Sequence, residues 1–144
     1  MTTEAIENFG ALLAETARIW RTKLDQRLRP LGLSQAKWVV LLQLSKAGDG
    51  INQKELAQRV GIEGPTLVGL LDRLGADGLV ERRESPTDRR SKTVHITAKA
   101  EAITRRISEV ARGLRNELLG DIDAETMQHC SQTLEQLKQR LEHL

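Results

Sequence analysis

The chain has 144 residues, enough for one domain with its own core, and its single Cys excludes an internal disulfide. No N-terminal apolar segment and no run of about 18 apolar residues is present, so we expect a soluble cytoplasmic protein. The net charge of +2 is uneven: residues 86–115 hold eight basic and three acidic residues, whereas residues 116–144 hold two and six. The basic segment favours an anionic partner such as nucleic acid.

The first predicted element is a long helix. Its apolar residues recur every three or four positions, the period of one helix face. They are Ile6, Phe9, Leu13, Ala17, Trp20, Leu24 and Leu28. Pro30 and Gly32 end this helix, and Ser34 caps a second helix that continues to Gly48.

A pattern typical of a helix-turn-helix unit follows. Asn52 and Glu55 form a capping-box-like pair for a short helix that Gly61 ends, and Pro65 fits the first position of the next helix. The inward face of that second helix consists of four leucines: Leu67, Leu70, Leu71 and Leu74. Its outward face consists of Pro65, Thr66, Gly69 and Arg73. The second helix of such a unit fits the major groove of DNA.

The next segment predicts a two-stranded hairpin with a basic tip. Gly78 breaks the preceding helix, and apolar strand positions recur on both sides of a charged connection. Pro86 and Asp88 are turn-forming residues that hold the tip in shape. Three basic side chains project from this tip: Arg89, Arg90 and Lys92. A hairpin of this kind beside a helix-turn-helix is called a wing.

Two further helices complete the chain. Thr97 can cap the first of them, Gly120 ends it, and a final helix begins near Asp123. The apolar seam of the final helix alternates by three and four residues: Met127, Cys130, Leu134, Leu137, Leu141 and Leu144. Such a seam needs a partner, so we expect a homodimer in which two recognition helices lie about 34 Å apart, one turn of DNA.

The segment DRLGADGLVERRESPTDRRSKTVHIT resembles the wing signature of the MarR family of bacterial transcription regulators. The segment RIWRTKLDQRLRPLGLSQAKWVVL resembles its SlyA branch. The resemblance implies a mainly α-helical fold in which residues 1–144 form one domain. It has a winged helix-turn-helix lobe at about 34–97 and dimerisation helices at about 5–30 and 98–144. It also implies binding of double-stranded DNA at a pseudo-palindromic operator, with phenolic or lipophilic ligands that lower DNA affinity.

The resemblance assigns roles to individual residues of the wing. It implies that Arg90 enters the minor groove and that Asp88 braces the arginines. Further DNA-binding candidates are Pro65, Thr66, Gly69, Arg73, Arg89 and Lys92. Gly69 departs from the SlyA-like pattern, in which a long basic residue commonly stands there, and a glycine has no side chain to reach a base edge.

Simpler interpretations remain open for four of these candidates. Arg89 and Arg90 could be a solvated loop, Arg73 could pair with Asp72 or Asp77, and Thr66 could cap its helix. The direction of regulation is also open, because repression and activation depend on where the operator lies relative to a promoter.

Four residues suggest a ligand site: Arg18, Trp20, Arg21 and Trp38. Arg18 and Arg21 lie three apart on one helix and can share a carboxylate, while Trp38 can cover an aromatic ring. A salicylate-like aromatic acid fits such a site. The alternatives are that both tryptophans are core residues and that the arginines form salt bridges at the dimer interface.

Other classes of site are disfavoured. Cys130 is expected to be buried and inert, and His95, His129 and His143 lack the spacing of metal ligands. No Gly-rich phosphate loop or paired nucleophile and base is present, so neither an enzyme nor a cofactor is predicted. The remaining alternative is a winged-helix adaptor that binds protein with little DNA readout.

Overall fold

The computed structural model describes residues 3–48 and 50–144. The chain divides into two compact units between Ala111 and Arg112. The first helix, α1, spans Thr3–Leu28 and leads into a 3-10 turn at Arg29–Leu31. Gly32 follows with a left-handed backbone (φ 70°), which glycine adopts at little cost and which ends the 3-10 turn. The helical segment therefore stops within the region where Pro30 and Gly32 were predicted to stop it.

Helix α2 spans Gln35–Ala47, and the predicted cap at its start is present. The hydroxyl of Ser34 accepts the backbone N–H of Lys37 at 3.4 Å. The buried residues of α2 are Trp38, Val40, Leu41, Leu42 and Leu44. Burying each of these large side chains contributes about 1.5–3 kcal/mol to folding.

Helix α3 spans Gln53–Val60, and the Oδ1 of Asn52 accepts the backbone N–H of Lys54 at 2.8 Å. Glu55 does not complete a capping box, because its carboxylate pairs with Arg59 one turn later, at 3.1 Å. Gly61 ends α3 in the left-handed conformation.

Helix α4 spans Gly64–Ala76 and begins one residue earlier than predicted, with Glu63 at the capping position. Pro65 therefore occupies the second helical position, where a missing N–H is still harmless. The four inward leucines predicted from the sequence are all buried: Leu67, Leu70, Leu71 and Leu74.

The sheet has three antiparallel strands in the order β1-β3-β2, formed by β1 (Ile51–Asn52), β2 (Val80–Glu84) and β3 (Lys92–Ile96). The hairpin of β2 and β3 is as predicted, but β1 was not predicted. In β1, Ile51 lies opposite Val94 and Asn52 lies opposite Thr93.

Helix α5 spans Glu101–Leu119, and helix α6 spans Ala124–Glu142. Asp123 caps α6 by accepting the Thr126 N–H at 2.9 Å. None of the residues of α6 is buried, and Leu134 and Leu141 are 43% and 70% exposed. Cys130 is also exposed in the single chain, and the burial predicted for it would require a partner for the α6 seam.

Candidate nucleic-acid interface

The outward surface of α4 lacks long side chains over its first two turns. Pro65 and Thr66 are exposed, and Gly69 is half-buried with no atom within 4 Å of the position a Cβ would take. Within the described residues, the Thr66 hydroxyl makes no hydrogen bond, so nothing there supports the capping interpretation. This part of α4 therefore presents a nearly bare helix surface that another molecule can approach closely.

Arg73 lies further along the same helix and is exposed. The carboxylates proposed as its partners are engaged elsewhere: Asp72 pairs with Arg82 of β2, and Asp77 lies 2.8 Å from the Nζ of Lys37. In the described part of the chain no ion pair involves Arg73. Its guanidinium remains available for an external acceptor.

The wing, defined here as β2, β3 and the connecting residues 85–91, has an ordered tip. The Ser85 N–H donates to the Ser91 carbonyl at 3.0 Å, and the Ser91 N–H donates to the Asp88 carbonyl at 3.1 Å. The Asp88 carboxylate accepts the backbone N–H of Arg90 at 2.9 Å. Asp88 thus fixes the backbone from which Arg90 projects.

The basic side chains of the tip are exposed: Arg89, Arg90 and Lys92. Across residues 3–48 and 50–144, no ion pair involves any of the three. Since their three positive charges outnumber the one carboxylate of Asp88 in the tip, the end of the wing is positively charged. Charge of this kind attracts the phosphates of nucleic acid.

A groove of about 490 Å³ lies between α3, α4 and the wing. Its lining includes three cationic residues, Lys54, Arg90 and Lys92, together with the apolar Val68. No Asp or Glu belongs to the lining. Neither Lys54 nor Val68 was a sequence-based candidate, because their proximity to Arg90 depends on how the hairpin folds back beside α3.

The four residues of the predicted ligand site do not share one environment. Arg18 and Arg21 are exposed on α1, and Trp20 is half-buried. Trp38 is only 2% exposed, and its Nε1–H donates to the Oδ1 of Asp25 at 2.8 Å. The ring of Trp38 is therefore a core element, not the exposed cover for a ligand that the sequence suggested.

Metal-binding clusters and membrane-spanning helices are both absent from the described residues. No group of three or more His, Cys, Asp and Glu side chains is positioned there to hold a metal ion. None of the helices in residues 3–48 and 50–144 combines the length and apolar character that a membrane span requires.

The fold and this surface define a class: a winged helix-turn-helix transcriptional regulator. The family model for the MarR family matches residues 31–91. The transcriptional regulator PA3341 has a solved structure that is 47% identical, with a TM-score of 0.89 over 94% of this chain and 99% of that one. The chain belongs to the MarR family of transcriptional regulators.

Two more distant structures share the fold. CouR from Rhodococcus jostii RHA1, bound to p-coumaroyl-CoA, is 24% identical, with a TM-score of 0.81 over 94% of this chain and 95% of that one. A complex of MepR from S. aureus with DNA is 19% identical, with a TM-score of 0.77 over 92% of this chain and 97% of that one.

Proposed function

We propose that this DNA-binding regulator acts as a homodimer, with α4 in the major groove and Arg90 of each wing in the adjacent minor groove. The observation that carries the proposal is the wing tip: Asp88 fixes the backbone at Arg90, and the Arg90 side chain has no ion-pair partner among the described residues. An arginine held in this way is suited to a narrow minor groove, whose negative potential attracts it. The fold shared with MepR, which was solved in complex with DNA, supports DNA binding by this chain.

Exposed apolar surface supports the homodimer. On α1 the exposed large apolar residues are Ile6, Phe9, Leu12, Leu13 and Ile19. Near the other end of the chain they are Leu118, Ile122, Leu134, Leu141 and Leu144. A second copy would bury both sets, and a two-fold dimer would present its two α4 helices to successive turns of DNA.

Most of the DNA affinity is expected to come from phosphate contacts and groove shape. Gly69 cannot hydrogen-bond a base, which leaves Arg73 as the long side chain of α4 that can read a base edge directly. Operators should therefore have A·T-rich flanks, where the minor groove is narrow.

A small aromatic acid is proposed to modulate binding through Arg18, Arg21 and the half-buried Trp20. Two guanidinium groups would hold a carboxylate by charge-assisted hydrogen bonds. CouR is bound to p-coumaroyl-CoA, an aromatic acyl thioester, which supports the aromatic part of this proposal. The carboxylate part rests on Arg18 and Arg21 of this chain. Trp38 is omitted from the proposal because its ring is buried.

The test is DNA binding measured by fluorescence anisotropy over a range of salt concentrations. The probe is a duplex that the protein itself selects from a randomised library. Arg90→Ala should weaken binding strongly, flatten the preference for A·T flanks and reduce the slope of log affinity against log salt by about one per wing.

Arg106→Ala is the matched control, since it also removes one exposed cation but from α5, where Arg106 pairs with Glu109. It should leave flank preference unchanged. Unaltered affinity and flank preference in Arg90→Ala would overturn the minor-groove assignment. Failure of the unmodified protein to bind any duplex in a salt-dependent manner would favour the protein-binding adaptor.

A further inference from the structure

Val68 is an exposed apolar side chain on the helix proposed to enter the major groove. It is 37% exposed, and in the described part of residues 29–117 no other large apolar side chain reaches that exposure. The remaining exposed large apolar residues lie on α1 or beyond residue 117, where the proposed dimer would cover them. Val68 lies outside those two regions, so the proposed dimer does not explain why it is exposed.

The residues around Val68 indicate which kind of molecule could contact it. Val68 lines the groove between α3, α4 and the wing, which it shares with Lys54, Arg90 and Lys92 and with no carboxylate. An occupant that complements this groove needs anionic groups for Lys54 and Lys92 and an apolar group for the valine. A DNA strand that carries a thymine has both, because the thymine 5-methyl group projects into the major groove beside the phosphate backbone.

We propose that Val68 contacts the 5-methyl group of a thymine and that this contact gives the protein part of its sequence preference. The inference rests on the proposed function, since it requires α4 to lie in the major groove. Gly69 makes the contact feasible, because the open space at its Cβ position lets bases come close to the helix backbone. The β-branched side chain of Val68 has few rotamers to lose on binding, which favours a contact of this kind.

The experiment compares thymine with deoxyuridine, which lacks only the 5-methyl group. Starting from the duplex selected by the protein, each thymine is replaced singly and affinity is measured by anisotropy. For the unmodified protein, one position in each half-site should lose about fourfold in affinity, the equivalent of one buried methyl group. Replacements elsewhere should have little effect.

Two variants assign the effect to Val68. The Val68→Ala variant should bind the thymine duplex more weakly than the unmodified protein does, and it should bind the thymine and deoxyuridine duplexes with equal affinity. The Val68→Ile variant should keep the preference for thymine. Arg90→Ala should lower affinity for both duplexes and leave their ratio unchanged, because its proposed contact lies in the minor groove. Circular dichroism melts establish that each variant is folded.

The outcomes separate the inference from the proposed function. The inference is wrong if the unmodified protein shows no thymine preference at any position, or if Val68→Ala keeps the preference intact. DNA binding that stays salt-dependent in those cases leaves the proposed function standing. Absence of salt-dependent binding to every duplex would overturn both.

Discussion

The Nζ of Lys37 lies 2.8 Å from the Oδ2 of Asp77, an ion pair that joins α2 to the residue at the C-terminal end of α4. The backbone carbonyl of Asp77 also accepts the Nζ of Lys99 at 2.8 Å. This short segment is therefore held from two directions. Because α4 is the proposed recognition helix, the pair helps to set its orientation within the lobe.

The Lys37–Asp77 pair predicts a pH-dependent contribution to stability. The hydrogen bond from Lys37, followed by its charge, lowers the pKa of Asp77 below the ordinary value of 3.8. The contribution should therefore be fully present above pH 3.8 and be lost as the pH falls through the lowered pKa.

Asp77→Asn should lower the melting temperature near neutral pH, and the difference from the unmodified protein should shrink in acid. Asp121→Asn is the control. Because Asp121 is exposed, its replacement should change the melting temperature little at any pH. Equal melting curves for Asp77→Asn and the unmodified protein near neutral pH would refute a stabilising role of the pair.

Arg73 provides a test of direct base readout. Arg73→Ala should relax the preference at one major-groove position, by about 1–3 kcal/mol if the guanidinium binds a guanine through two hydrogen bonds. Arg73→Lys should lose most of that preference while it keeps the phosphate-driven affinity, because an ammonium lacks the planar fork of a guanidinium. Selection from a randomised library, repeated with each variant, measures the preference. Unchanged selected sequences would exclude Arg73 from base readout.

Asp88 provides a test of the ordered wing tip. Asp88→Ala removes the acceptor for the Arg90 N–H, a bond of the kind that contributes about 0.5–1.5 kcal/mol to an ordered backbone, and looser placement of Arg90 should weaken DNA binding. Removing a negative charge near DNA acts in the opposite direction, so Asp88→Asn is the matched control. It removes the same charge and keeps a carbonyl acceptor. Asp88→Ala should therefore bind DNA more weakly than Asp88→Asn, and equal affinities would count against the bracing role.

The seam of α6 predicts that folding and dimerisation cannot be separated. Leu134→Glu combined with Leu137→Glu should unfold the chain or leave a poorly soluble monomer, because charge would replace the apolar contact between copies. Gln132→Glu combined with Gln139→Glu adds the same charge on the opposite face of α6 and should preserve the dimer. Sedimentation equilibrium and circular dichroism distinguish these states. A well-folded monomer of the leucine variant that still binds DNA would contradict the prediction.

The ligand proposal predicts that salicylate lowers DNA affinity in the unmodified protein. Arg18→Ala combined with Arg21→Ala should abolish this response while the dimer stays folded. Lys23→Ala combined with Lys46→Ala removes two exposed cations elsewhere and should leave the response intact. Anisotropy titrations with and without the acid provide the measurement. A ligand can change the DNA affinity only to the extent that it binds one conformation of the protein more tightly than another. Salicylate binding and the change in DNA affinity should therefore both be measured.

Local rules were enough to predict much of the fold. Ser34, Asn52 and Asp123 cap their helices as expected, because capping depends on residues only two or three positions apart. The inward leucines of α4 followed equally from their spacing. Strand β1 was missed because two residues are too few to show an alternating pattern.

The surroundings of the candidate site residues could not be predicted in the same way. The burial of Trp38 involves Asp25, thirteen positions earlier on another helix, and the pairing of Asp72 with Arg82 depends on how β2 folds back beside α4. The position of Val68 in the sequence pattern of α4 does not distinguish it from the other residues of that helix. Its exposure beside Arg90 becomes evident only when the wing is in position.

Asn52 both ends β1, opposite Thr93 of the wing, and caps the first turn of α3. One residue therefore links the wing sheet directly to the helix-turn-helix, with no linker to flex between them. In a lobe that reads DNA as proposed, the distance along the DNA between the major-groove contact and the minor-groove contact is then fixed. Operators can diverge in their bases, but an inserted base pair between those two contacts should abolish recognition of that half-site.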